Sequence, residues 1–148
     1  MNYLTQQLLN PEELKLLKLN LDKKDLLWED GKKTAGSQAS LVKNNLQLSR
    51  DLDFSKKFSK LITQKILKNE LIKSFSLPKK IHGTMFTKSK SGMGYGRHID
   101  NAFMSSGRAD LSFTIFLTDK NEYQGGELHI ENLNIENKVK LNMGEIII

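Results

Sequence analysis

A chain of 148 residues, 38% hydrophobic and 27% charged, is long enough for one globular domain with its own core and has the composition of a soluble protein. It has no cysteine, which excludes a disulfide frame, a zinc–thiolate site and an iron–sulfur cluster and leaves nitrogen and oxygen donors for any metal. The net charge of +6 belongs to residues 1–80, where sixteen basic groups stand against nine acids, while residues 81–148 carry seven against eight.

Twenty of the 23 basic residues are lysine, set on outward helix faces rather than interleaved with aromatic rings, so a solvated surface is expected and no nucleic-acid interface. The opening Met1-Asn2-Tyr3-Leu4-Thr5 lacks a basic stretch followed by an apolar one, and no run of about 18 apolar residues occurs. The expectation is a soluble, cytoplasmic protein with no membrane partner.

Along the chain, Asn10-Pro11-Glu12-Glu13 reads as a helix start: asparagine caps, proline suits the first helical position, and the acids favour the positive end of the dipole. The helix is predicted to run to about Leu21, with Leu14, Leu17 and Leu21 on one face. Trp28-Glu29-Asp30-Gly31 ends in a turn signal, and Val42 to Leu48 is predicted as a short strand. Asp53 is placed as the cap of a second helix, in which Phe54, Phe58, Leu61, Ile62 and Ile66 recur at three- and four-residue spacing. Leu77-Pro78 closes the helical half, because a residue before proline is pushed out of the helical region.

From Ile81 the pattern changes to period two between glycines and asparagines. Strands are predicted at Ile81–Thr87, Leu111–Thr118, Glu127–Glu131, Lys138–Leu141 and Glu145–Ile148. In the second of these, Leu111, Phe113, Ile115 and Leu117 would share one face, and Ser112, Thr114 and Phe116 the other. The class is α+β: residues 1–80 form a helical part and residues 81–148 a β core, within one domain overall.

His98-Ile99-Asp100 places two metal-capable side chains two residues apart, so on an extended backbone both project to one side. Ferrous iron in a facial triad takes an imidazole and a carboxylate from such a segment and a second imidazole from elsewhere. Alone, the same spacing also suits a surface or hydrogen-bonded histidine.

The surrounding residues narrow this. Tyr95-Gly96-Arg97-His98-Ile99-Asp100-Asn101-Ala102, Arg108-Ala109-Asp110-Leu111-Ser112 and Tyr123-Gln124-Gly125-Gly126-Glu127-Leu128 resemble, in order and spacing, the PKHD-type hydroxylases. The likeness continues upstream through Trp28-Glu29-Asp30-Gly31, Thr34-Ala35-Gly36 and Val42-Lys43-Asn44-Asn45-Leu46-Gln47, covering nearly the whole chain.

The resemblance implies a double-stranded β-helix, or jelly roll, with helices packed outside, incomplete at its C-terminal end. It implies a dioxygenase dependent on Fe(2+) that couples oxidation of a substrate to decarboxylation of 2-oxoglutarate, with L-ascorbate keeping the iron reduced. Carried over by position, His98 and Asp100 become the metal ligands, and Thr114 and Phe116, on the face shared with Ser112, become candidates for lining the co-substrate pocket. No catalytic residue beyond the metal ligands is implied. The Gly125-Gly126 turn and the strand after it would be scaffold.

Two departures from the family pattern stand out. Ser89 occupies the place of a tyrosine near the co-substrate. The second ligand histidine is expected roughly seven residues beyond Ile148, and a 2-oxoglutarate-binding arginine roughly ten further. His129 is the one substitute ligand to consider, but it alternates with Glu127 and Glu131 on a polar strand face and reads as solvent-facing. His82 reads as a surface or turn histidine, and Arg97 and Arg108 as surface cations. An apolar end at Ile146-Ile147-Ile148 suggests association through uncovered sheet edges. The competing expectation is a catalytically inactive scaffold or interaction module derived from the same fold.

Overall fold

The computed structural model describes residues 3–23, 25–104, 107–131 and 135–148. In chain order the elements are β1 (Thr5–Gln7), α1 (Pro11–Leu21), β2 (Trp28–Asp30), a 3-10 turn (Gly31–Thr34), α2 (Ser37–Leu41), β3 (Lys43–Asn44), β4 (Leu46–Leu48), α3 (Asp53–Lys68) and α4 (Glu70–Ser76). There follow β5 (Thr87–Lys88), β6 (Gly94–Tyr95), β7 (Phe103–Met104), β8 (Gly107–Arg108), β9 (Thr114–Ile115), β10 (Leu128–Glu131), β11 (Glu136–Val139) and β12 (Glu145–Ile147). The class is mixed α+β, built from helices and several small antiparallel sheets.

These elements form two compact units, one of Met1–Leu19 with Leu111–Ile148, the other of Asn20–Asp110. In the first, β12 runs between β1 and β9, pairing Gln6 with Ile146 and Ile146 with Ile115. Ile146 has no exposed surface, and enclosing such a side chain stabilises the unit by about 1.5–3 kcal/mol. Beside it Phe116, Val139 and Ile147 form a core cluster against which Leu128, Ile130 and Leu141 pack, the last three from or beside the β10–β11 hairpin.

Helix α1 starts as its sequence dictates. The Asn10 side chain accepts from the Glu13 backbone N–H at 2.9 Å, and the Glu13 carboxylate accepts from the Asn10 N–H at 2.8 Å, a reciprocal capping box. Leu14 and Leu17 are buried and Leu21 is half-buried.

In the second unit, α3 lays Phe58, Ile62 and Ile66 into the interior at the predicted spacing. Its cap differs from expectation: Leu52 occupies the N-cap with no side-chain hydrogen bond, and Asp53 is the first helical residue, where its charge still favours the dipole. Helix α4 is a separate element, because the Asn69 side chain accepts from the Ile72 N–H and opens a new helix. It ends at Ser76 with Leu77 left-handed (φ 44°, ψ 54°), immediately before Pro78. Phe54, Phe58 and Phe86 form an aromatic trio with centroids 4.8–5.9 Å apart.

The strands are shorter than period two suggests. The predicted Val42–Leu48 strand is broken at Asn45, so that β3 pairs with β6 while β4 pairs with β2 and β5. Of Ile81–Thr87 only Thr87 is in a strand, and of Leu111–Thr118 only Thr114 and Ile115 are: these pair in register with β4 and β12, whereas the backbone hydrogen bonds of Phe86 to Leu48 and of Phe116 to Glu145 and Gly144 do not extend the ladders. Alternation also breaks down: Leu111 is 54% exposed, whereas Phe116 is buried. The three later strands fall close to their expected places, and Gly125 and Gly126 make the sharp turn before β10 with φ of 69° and 71°.

Candidate metal centre

His98 and Asp100 lie on the loop between β6 and β7 rather than on a strand. The two-residue spacing still brings them to one side: His98 Nε2 is 3.2 Å from Asp100 Oδ1, while the intervening Ile99 is 95% exposed. The orientation of the imidazole is fixed at its other nitrogen. His98 Nδ1 is 2.7 Å from the Gly96 carbonyl, which can only accept, so Nδ1 carries the hydrogen and Nε2 is the nitrogen turned to Asp100.

The backbone behind this loop is held by a two-residue ladder. Lys43 pairs with Tyr95 and Asn44 with Gly94, and the Gly96 N–H donates to the Val42 carbonyl at 2.8 Å. A Cβ at Gly96 would stand 2.9 Å from Val42 Cβ, so glycine permits this approach. The Tyr95 ring then lies flat on the His98 ring, with centroids 3.7 Å apart and planes 12° from parallel. Burial, and secondarily the charge of Asp100, hold the Tyr95 phenol above its ordinary pKa.

Lys43 is buried, and its ammonium sits 4.8 Å from the Tyr95 ring centroid and donates to Thr34 Oγ1 at 3.2 Å. Burial lowers its pKa, Arg50 lowers it further, and Asp30 opposes the shift.

This donor set fits a divalent first-row ion as far as it extends. Two ligands each about 2.1 Å from an ion and at right angles lie about 3.0 Å apart, close to the observed 3.2 Å. An imidazole tied to a carbonyl through its non-ligating nitrogen is the usual state of a metal histidine. Among the described residues no cluster of three or more His, Cys, Asp or Glu side chains forms a metal site, so His98 and Asp100 are a pair.

No family model matches the chain. Among curated proteins, PKHD-type hydroxylases of Prochlorococcus marinus strains MIT 9515 and MIT 9215 are 70% and 69% identical to it, and that of strain MIT 9211 is 53% identical. Each match covers the whole of this chain and 67% of the relative. The chain belongs to the PKHD-type hydroxylases.

Within this PKHD-type chain the remaining sequence candidates lie as follows. Thr114 is exposed in β9, and Phe116, just past the strand, is part of the core cluster of the first unit. His129 is exposed on β10 and pairs with Glu136 across the hairpin. His82 lies outside any strand, with its Nε2 3.2 Å from the Arg108 carbonyl. Arg108 pairs with Asp110 at 2.6 Å, and Arg97 and Ser89 are exposed. No helix among the described residues is long and apolar enough to cross a membrane.

Lys43 and Tyr95, which neither spacing nor residue type singles out, stand inside the stretches that carry the family likeness.

Proposed function

We propose that this PKHD-type hydroxylase chain contributes His98 and Asp100 as two protein ligands of Fe(2+), on a core of the jelly-roll kind. The third ligand and the cation for 2-oxoglutarate would be supplied by the part of the relatives' length that the chain does not match. The observation carrying the reading is the convergence of His98 Nε2 and Asp100 Oδ1 at 3.2 Å, with the imidazole hydrogen committed to Gly96.

Bound there, the iron would supply oxygen activation, with 2-oxoglutarate converted to succinate and carbon dioxide as a substrate is hydroxylated, and L-ascorbate restoring the ferrous state. The chain's own part is to present donors. The Gly96 carbonyl keeps the hydrogen on Nδ1, leaving Nε2 as the coordinating nitrogen, and Asp100 contributes negative charge beside it. The substrate class, a small molecule or a peptide, is open to assay with a panel of both.

The test is metal affinity in the chain itself, together with succinate production in a chain extended to the relatives' full length. His98→Ala and Asp100→Asn should each abolish iron-dependent succinate production and weaken metal binding by at least about tenfold. Undiminished turnover in both variants would overturn the assignment. Failure of the extended chain to bind metal would favour a non-catalytic scaffold or interaction module.

A further inference from the structure

Lys43 is a lysine where a lysine is costly. It is 5% exposed, and its ammonium meets a hydroxyl and an aromatic face rather than a carboxylate. The hydroxyl is itself engaged, since Thr34 Oγ1 lies within hydrogen-bond distance of Gln47 Oε1. Packing alone does not call for a cation here, because methionine would fill similar space without a charge to desolvate. The ring beneath the ammonium is that of Tyr95, the residue paired with Lys43 across β3 and β6, and that ring is stacked on His98.

Resting on the reading of His98 as a metal ligand, we propose that Lys43 and Tyr95 are positioning residues that fix the plane and tautomer of the His98 imidazole through a cation–ring–imidazole column. The cation holds the electron-rich face of Tyr95 in place. The held ring denies His98 rotation about its side-chain bonds, so that Nδ1 stays on the Gly96 carbonyl and Nε2 stays toward Asp100. The column and the Gly96 carbonyl thus act on one imidazole from two directions, as outer-shell groups do around metal histidines.

The test reads His98 directly in the full chain, by NMR of its ring nitrogens and protons, and separately by titration with cobalt(II). Wild type and Tyr95→Phe should show a single Nδ1–H tautomer and ring protons shifted upfield by the stacked ring. Tyr95→Ala should mix the tautomers and raise the cobalt(II) dissociation constant about tenfold. Lys43→Met should reduce the upfield shift and weaken cobalt(II) a few-fold, while leaving thermal stability unchanged or raised, which separates positioning from a general loss of fold. Lys43→Arg, which keeps the cation, should restore the shift.

A single tautomer in Tyr95→Ala, a full upfield shift in Lys43→Met, or cobalt(II) affinity unchanged in both would overturn the column's role. A wild-type chain that binds no cobalt(II) yet shows the single tautomer and the upfield shift would remove the metal reading, while upholding the column's hold on His98.

Discussion

The carbonyl of Gly96 accepts the Nδ1 hydrogen of His98 at 2.7 Å, two residues along the same loop. The N–H of Gly96 donates in turn to the Val42 carbonyl at 2.8 Å, so one residue ties the imidazole to the segment leading into strand β3 through its backbone alone. Local hydrogen bonding therefore sets which nitrogen faces Asp100.

Gly96→Ala should damage this arrangement by steric overlap, since its Cβ would meet Val42 Cβ at 2.9 Å. The surrounding loop is exposed, so the cost in stability should be small, about 1 kcal/mol. Cobalt(II) affinity should fall several-fold as the carbonyl moves off Nδ1. Unchanged affinity in a well-folded variant would show that Gly96 does not orient the ligand.

Asn10→Ala removes half of the reciprocal cap at the start of α1. The expected loss is about 1 kcal/mol, read as a lower urea midpoint at constant slope. Asn10→Ser, which can accept the same Glu13 N–H, should recover most of it. A midpoint unmoved by alanine would mean that the cap is replaced by water at no cost.

These cases show what was legible beforehand and what was not. The α1 start was readable because cap, proline and acids are adjacent in sequence and act locally. The interior face of α3 was readable from spacing alone. The break at Asn69 was not, since nothing but the later hydrogen bond to Ile72 distinguishes that asparagine from a surface residue. Strand lengths failed for a related reason: alternation in Leu111–Thr118 describes a segment, whereas a strand needs a partner in register, and only Thr114 and Ile115 have one on β12. The His98 and Asp100 pair was visible as a spacing and its convergence followed, although on a loop. Lys43 was hidden because a lysine in a basic half reads as solvated. Its burial depends on pairing with Tyr95, about fifty residues away.

Tyr123 supplies a pH prediction. Burial first, then Glu127 and Asp119, raise its phenol above the ordinary 10.0. A raised pKa means that the folded chain holds this proton more tightly than the unfolded one. The contribution is therefore complete below about pH 10 and is lost as pH rises through the folded value. Tyrosinate absorbance, compared between wild type and Tyr123→Phe, should show that the missing component titrates above the usual tyrosine range. Tyr123→Phe should also lose less stability at alkaline pH than wild type. A component at or below pH 10 would contradict the burial argument.

Gly144 brings together the strongest steric demands in the first unit. Its φ is +88°, its N–H donates to the Phe116 carbonyl at 2.7 Å, and its own carbonyl accepts from both Leu8 and Leu9 at 3.0 and 3.1 Å. A Cβ there would lie 2.5 Å from Gln7 Nε2 and 3.0 Å from both the Leu9 carbonyl oxygen and Leu14 Cδ1. The glutamine end could swing away, but the Leu9 backbone cannot without moving the segment between β1 and α1. Left-handed backbone and overpacking therefore add, and Gly144→Ala should cost about 2–4 kcal/mol. That is a large share of the roughly 5–15 kcal/mol available to a domain. Gly94→Ala is the comparison, since its Cβ meets nothing within 4 Å and its φ is not left-handed. Urea unfolding should place Gly94→Ala near wild type and Gly144→Ala far below it. Equal midpoints would show that the β1–α1 connection yields easily, and that the two hydrogen bonds to the Gly144 carbonyl do not fix its place.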